Sequence, residues 1–186
     1  DLFFLNLSRW GDSLPPDPLR RVLMDDSLQP RIGALLGGTE FLPEQVARRP
    51  EIFESLFLER DVLKRPAPGA IAREALEEAQ RCASEEEVKR ALRRLKHREM
   101  TRIAARDLAG VSPLHEVTEE LSALASAALD AAVRFARRML SGKAGEPVAA
   151  LPDGTRRPCR FVVLGMGKLG GLELNFSSDV DLIYLY

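Results

Sequence analysis

Residues 121–140 carry the longest unbroken helical stripe in the chain. Leu121, Leu124, Ala125, Ala128, Leu129, Ala132, Val133, Ala136 and Leu140 recur three and four apart with no proline among them. That spacing gathers apolar side chains on one side of an α-helix, which then needs another surface to cover it. A second stretch upstream repeats the pattern, with Val88, Ala91, Leu92 and Leu95 leading on to Ile103, Ala104 and Leu108. Ser84 and Glu87 have the form of a capping box at its start, and Gly110 is the expected stop. Ser112 and Pro113 fit the N-cap and first position of the longer helix, whose end is expected at Gly142. Small residues on both stripes predict close antiparallel packing, so the bulk of the chain is expected to be α-helical.

The first 70 residues differ in character. They hold most of the 12 prolines, which punctuate several short helices rather than one long one. Leu19, Val22 and Leu23 offer one apolar face, and Ile32, Leu35 and Leu36 another. Residues 42–46 and 52–58 offer two more. Gly37 and Gly38 fit a helix stop, and Pro43 a first turn. The run Pro66, Ala67, Pro68, Gly69 reads as a linker, and residues 142–158 as a second. The expected organisation is a helical domain over 1–145, with a sub-boundary near 66–70, followed by the start of an α/β domain over 146–186.

Composition narrows the class. With 45% apolar and 30% charged residues among 186, the chain can bury a core. A net charge of −1 argues against binding nucleic acid by bulk charge. No apolar run approaches the roughly 18 residues of a membrane span. The two cysteines, Cys82 and Cys159, are too far apart for a metal-ligand pair and too few for a disulfide framework, so a reducing, cytoplasmic compartment is expected. The first residues, Asp1 to Asn6, lack an initiator Met and the basic flank of a secretory peptide, and Tyr186 falls inside an expected strand. Both ends are expected to be cuts within a longer protein.

Several polar residues invite a functional role. His97, Arg98 and Glu99 have the makings of a general-base group, but a charged helix face accounts for them better. His115 is expected at a first turn or on the surface. Arg134, Arg137 and Arg138 share one side of a helix, where they could meet phosphate or simply line a solvated face, the reading preferred here. Trp10 is expected to be a packing anchor.

After residue 158 the period changes. Phe161, Val162, Val163 and Leu164 form a compact apolar run of the buried-strand type, and Val180, Leu182, Tyr184 and Tyr186 alternate with Asp181, Ile183 and Leu185 as a second strand. Between them lie Gly165, Gly167, Lys168, Gly170 and Gly171. The spacing of Gly165, Gly167 and Gly170 after a strand matches a dinucleotide fingerprint. That fingerprint needs a full helix before the next strand, whereas Asp179 follows Gly170 by only nine residues. A loop, a three-turn helix and a return loop do not fit, and an NAD-dependent oxidoreductase is disfavoured. The P-loop fails as well, because Gly165 and Lys168 are too close for its spacer.

The glycines and the acids make better sense as one unit. Residues two apart in a strand share a face, so Asp179 and Asp181 present two carboxylates to one small volume. Like charges held that close repel unless a cation lies between them, and Mg²⁺ suits one or two carboxylates plus substrate phosphate. Pairs of this type also occur on exposed strands without metal. The preceding glycines tip the balance, since backbone without Cβ lets N–H groups approach a phosphate, and a short helix there adds its dipole. Lys168 adds a point charge, and Ser177 and Ser178 can donate at the mouth of the strand. Glu173 is expected to face solvent. The combination points to metal-dependent phosphoryl or nucleotidyl transfer.

The 22 residues from Gly165 to Tyr186 resemble the signature of the bifunctional glutamine synthetase adenylyltransferase/adenylyl-removing enzymes, a family of polymerase-β-like nucleotidyltransferases. Residues 95–110 resemble that family more loosely. Leu172 departs from the polar or Gly residue expected there, a change expected to affect helix exposure more than chemistry. The resemblance implies a mainly α chain whose last part is the truncated start of a polymerase-β-like α/β domain. It implies that Asp179 and Asp181 are catalytic and hold divalent ions, Mg²⁺ being the expected cofactor. It also implies that Gly167, Lys168, Gly170, Gly171 and Ser178 cradle nucleotide phosphates, and that a third carboxylate comes from a strand beyond Tyr186.

The implied partners are glutamine synthetase, a PII-type nitrogen signalling protein, ATP or ADP and phosphate, with neither nucleic acid nor membrane. The family carries two modules, one removing AMP from a tyrosine of glutamine synthetase by phosphorolysis and one attaching it from ATP. Residues 174–178 resemble the removing module, while residues 109–113 also resemble the other. The removing half is the preferred assignment, and the excerpt is expected to be inactive alone. A non-catalytic helical docking fragment is the alternative from another class.

Overall fold

The computed structural model describes residues 1–59 and 64–186. The chain is mainly α-helical with two small antiparallel sheets. Helices α1 (Leu2–Ser13), α2 (Pro16–Leu23), α3 (Gln29–Gly38), α4 (Phe41–Ala47) and α5 (Pro50–Phe53) are short, and α5 runs on into a π-helical turn, Glu54–Glu59. Then come α6 (Ala70–Arg81), α7 (Glu85–Leu108) and α8 (Leu114–Ala144). A hairpin of β1 (Val148–Ala150) and β2 (Arg156–Pro158) follows, and the chain closes with β3 (Val162–Gly165), α9 (Gly167–Gly170) and β4 (Leu182–Leu185). Two compact units emerge, Asp1–Ala67 with Arg93–Glu120, and Pro68–Leu92 with Leu121–Tyr186. Helices α7 and α8 each contribute a segment to both.

The core of the first unit forms around Trp10, which is fully buried and packs edge-on against Phe53 with ring centroids 5.5 Å apart. Its indole N–H donates to the carbonyl of Pro43 at 2.9 Å, as a buried indole requires. Asn6, also fully buried, donates through Nδ2 to the carbonyls of Leu36 (2.8 Å) and Thr39 (2.9 Å), satisfying the C-terminal end of α3. Leu19, Val22, Ile32, Leu35, Leu36 and Val46 complete the core, as their helical spacing predicts. Pro30 lies in the first turn of α3 and Gly38 ends it. Helix α7 stops at a Schellman motif. The amide of Gly110 (φ +67°) donates to the Asp107 carbonyl and that of Val111 to Arg106.

In the first unit the charged helix face expected at residues 97–99 belongs to a buried lattice of charge. Glu99 is 1% exposed, Arg102 3%, and Arg106 and Glu120 5% each. Glu99 accepts from Arg98 Nε (3.0 Å) and Nη2 (2.9 Å) through one oxygen and from Arg102 Nε (2.8 Å) through the other. Arg102 also pairs with Glu120, and Arg106 with Glu116. Arg65 lies 3.5 Å from Glu116, 3.2 Å from Glu119 and 3.9 Å from Glu120. Arg98, Arg102 and Arg106 recur every four residues on α7, and Glu116 and Glu120 do so on α8. The stripe is therefore ionic and buried, each charge compensated by its neighbours.

In the second unit, the Ser84 capping box forms as expected. Ser84 Oγ accepts from the Glu87 amide at 3.3 Å, while the Glu87 carboxylate reaches one residue further back to the Ala83 amide (2.7 Å). Helix α8 continues past Gly142 to Ala144, and the left-handed residue behind it is Gly145 (φ +78°). Gly142 simply continues the helix. The arginines of α8 are all engaged. Arg134 pairs with Asp130 and Arg137 with Glu146, while Arg138 donates to the carbonyls of Ala79, Gln80 and Cys82 at the end of α6. Part of the expected linker 142–158 is ordered as the β1–β2 hairpin, with Val148 opposite Pro158 and Ala150 opposite Arg156. Its three-residue strands are exposed and lack apolar alternation, so no period in the sequence announces them. Among the described residues, no helix is long and apolar enough to cross a membrane.

Candidate functional site

The glycine segment and the two acids meet at the β3–β4 hairpin. The strands pair antiparallel, Val162 opposite Leu185, Val163 opposite Tyr184, Leu164 opposite Ile183 and Gly165 opposite Leu182. One further backbone bond, from the Met166 amide to the Asp181 carbonyl at 2.9 Å, extends this ladder. Asp181 thus stands beside the residue that opens the glycine turn. The expected strand over 180–186 is shorter, with Asp179 and Asp181 lying just ahead of β4.

The turn is built from glycine for two separate reasons. Gly167 adopts φ +53°, a left-handed conformation that disfavours a Cβ. At Gly170 a Cβ would approach the Gly165 carbonyl oxygen to 2.6 Å, so the turn can lie close against β3 only without one. Helix α9 is a single turn, and the short helix dipole expected here reduces to individual N–H groups. Among the described residues, the amides of Gly167, Lys168 and Leu169 donate to no backbone or side-chain acceptor. Lys168 and Gly171 are exposed, and Leu169 is buried at 5%.

The segment then ends in a second Schellman motif. The Leu172 amide donates to the Leu169 carbonyl (3.2 Å) and the Glu173 amide to the Lys168 carbonyl (2.7 Å). The left-handed position is held by Leu172 itself, at φ +57° and 55% exposed. The departure at Leu172, expected to affect helix exposure more than chemistry, thus also concerns backbone conformation. Glu173 is exposed, as expected. Asn175 to Ser178 make a tight turn in which Ser178 Oγ donates to Asn175 Oδ1 at 2.6 Å and accepts from the Asn175 amide at 3.2 Å. In this arrangement the Ser178 hydroxyl is occupied within its own turn.

Asp179 and Asp181 are both exposed, and neither side chain takes part in an ion pair or hydrogen bond among the described residues. Leu182 is half-buried, and Val180 is 41% exposed. Two uncompensated carboxylates fit a hard divalent ion that keeps waters and takes phosphate oxygens as further ligands. No group of three or more His, Cys, Asp or Glu that could hold a metal occurs among the described residues. Among the described residues, the acids brought to this turn are Asp179 and Asp181.

Two features of the surroundings escaped sequence reasoning. Val163 and Tyr184, with Phe161, border an apolar cavity of about 680 Å³ whose other wall is α8, including Leu129, Val133 and Leu140. The expected α8 stripe is buried only at Leu121 and Leu124; beyond them the buried positions are Ala127, Ala131 and Phe135, while Leu129, Ala132, Val133, Ala136 and Leu140 of the expected stripe line this cavity. Second, Ser122 of α8 reaches the loop, accepting from the Leu174 amide at 3.2 Å. A serine on an apolar stripe was the available signal.

A family model described as glutamate-ammonia ligase adenylyltransferase matches residues 30–186. Among curated proteins, the chain is 41% identical over 149 residues to the bifunctional glutamine synthetase adenylyltransferase/adenylyl-removing enzyme of Thioalkalivibrio sulfidiphilus, and 40% identical over 149 residues to that of Pseudomonas aeruginosa. Each match covers 80% of this chain and 15% of the relative. The protein of the same name from Nitrosococcus oceani is 34% identical over 181 residues, covering 97% of this chain and 18% of its own length.

Proposed function

Since the chain belongs to the glutamate-ammonia ligase adenylyltransferase family, we propose that it forms part of a metal-dependent nucleotidyltransferase acting on glutamine synthetase. The favoured reaction is phosphorolytic removal of AMP from an adenylylated tyrosine. A phosphate oxygen attacks the α-phosphorus, the tyrosyl oxygen leaves and takes up a proton, and the products are ADP and free tyrosine. The observation that carries this reading is the Met166–Asp181 backbone bond, which brings exposed, uncompensated acids beside a turn of unengaged N–H groups. Asp179 and Asp181 would hold Mg²⁺. Bound there, the ion would neutralise charge on the phosphate oxygens and favour in-line displacement. The amides of the turn and Lys168 would orient the nucleotide phosphates, with Gly167, Gly170 and Gly171 keeping the backbone close and Ser178 able to contribute once released from Asn175.

Residues 174–178 favour the removing module, and residues 109–113 keep the ATP-dependent adenylylating module as the second reading. A third carboxylate from elsewhere in the full-length protein would complete the site, so these 186 residues alone should show no turnover. Regulation by a PII-type protein and a cytoplasmic location rest on the family resemblance.

The deciding experiment is Asp179→Asn in the full-length protein. Phosphorolysis of adenylylated glutamine synthetase should fall by about a thousandfold, the loss expected when several kcal/mol of charge stabilisation is removed. Binding of glutamine synthetase should be unchanged. Retained phosphorolysis with the adenylylation rate lost would assign the chain to the second module. Retention of both activities would favour a non-catalytic docking role.

A further inference from the structure

We propose that Ser122 is a positioning residue for the phosphate-handling loop, setting the distance between the glycine turn and the acid pair; this rests on the nucleotidyl-transfer reading above. Ser122 is fully buried on a helix face whose neighbours Leu121 and Leu124 are apolar and equally sequestered. Serine has no helical advantage there, and a buried hydroxyl is costly unless bonded. Its oxygen accepts from the amide of Leu174, 52 residues away in sequence.

Leu174 lies between the two halves of the site. Six residues before it is Lys168, and five after it is Asp179. The other backbone and side-chain hydrogen bonds described for residues 167–181 stay within that segment or its own hairpin. Two apolar side chains, Leu169 and Leu174, seat the segment, but apolar contact is non-directional and fixes depth rather than register. The Ser122–Leu174 bond supplies the missing directional constraint. Without it, the Leu174 amide is left buried and unsatisfied, and the segment can shift relative to the turn.

The test compares Ser122→Ala with Ser126→Ala, one turn along α8 at an exposed position, in the full-length protein. Alanine keeps the helix and removes the hydroxyl that accepts from Leu174. Amide exchange over residues 171–181 should accelerate about twofold to tenfold in Ser122→Ala, the range set by one net hydrogen bond. The Mg²⁺ concentration giving half-maximal phosphorolysis should rise by a similar factor. Ser126→Ala should change neither. Unchanged exchange in Ser122→Ala would overturn the proposal. Accelerated exchange with an unaltered Mg²⁺ requirement would also overturn it, leaving a structural contact. Full activity of Asp179→Asn in the same assay would instead bring down the underlying functional reading.

Discussion

Acidic side chains occur in two opposite settings in this molecule. In the first unit, Glu99 and Glu120 are buried and each is matched by arginines of α7, with Arg65 and Glu116 at the margin. Just ahead of β4, Asp179 and Asp181 stand exposed and, among the described residues, unmatched. Burial explains the contrast. A carboxylate taken out of water must be compensated by the protein itself, whereas one left in water can remain available to a cation. The compensated acids link α7 to α8 within the first unit, and the exposed pair makes no such link among the described residues.

The largest effect that would break this contrast is on the buried lattice. Arg102→Met removes the partner shared by Glu99 and Glu120 and should cost about 3–5 kcal/mol in urea unfolding of the first unit's signal. A loss below about 1 kcal/mol would mean that water already reaches the lattice. Among the described residues, Arg102 Nη1 and Arg106 Nη1 are buried with no hydrogen-bond partner.

The next effect concerns the two Schellman motifs, one closed by Gly110 and the other by Leu172. A left-handed conformation costs a non-glycine residue about 1–2 kcal/mol, and no atom crowds a Cβ at Gly110. Gly110→Ala should therefore destabilise by about 1 kcal/mol through backbone conformation alone. Leu172→Gly should stabilise the hairpin by about 0.5–1 kcal/mol, because glycine's extra freedom in the unfolded chain offsets part of the relief. Local amide exchange at Glu173 would register the change.

A smaller effect is pH-dependent. Partial burial, reinforced by Arg49 and Lys96, holds the His97 imidazole below its ordinary pKa. The native state then binds fewer protons than the unfolded state, so this contribution is present above the unfolded value near 6.5 and is lost as pH falls through the folded value. His97→Gln should flatten the decline of thermal stability below pH 6.5, as melting curves across that range would reveal. The smallest expected effect is none. Asp179→Asn and Asp181→Asn should each leave the melting midpoint within about 2 °C, since exposed groups without partners contribute little to stability. A clear rise in either variant would indicate stronger mutual repulsion than their exposure allows.

Much of the local architecture was legible in the sequence because it depends on neighbours. Gly38 and Gly110 end helices, Ser84 and Glu87 cap one, and Trp10 anchors a core at the positions where spacing and backbone preference put them. The short interval from Gly170 to Asp179 excluded a full dinucleotide-binding helix, and a single helical turn occupies that space. Features lacking a local period were not legible. The β1–β2 hairpin is too short, and too lacking in apolar alternation, to announce itself, and Arg98, Glu99, Arg102 and Arg106 look alike whether they face water or one another.

By itself, the sequence determined the helical majority, the change of period after residue 158 and the residue types gathered around Asp179 and Asp181, because each follows from backbone preference or from the alternation of apolar and polar groups along a few turns. Only the tertiary structure decided that Glu120 meets Arg102 across 18 residues, that Ser122 takes the Leu174 amide across 52, and that the Asp181 backbone lies against Met166. Those choices depend on which distant groups are removed from water together, and no short stretch of sequence contains that information.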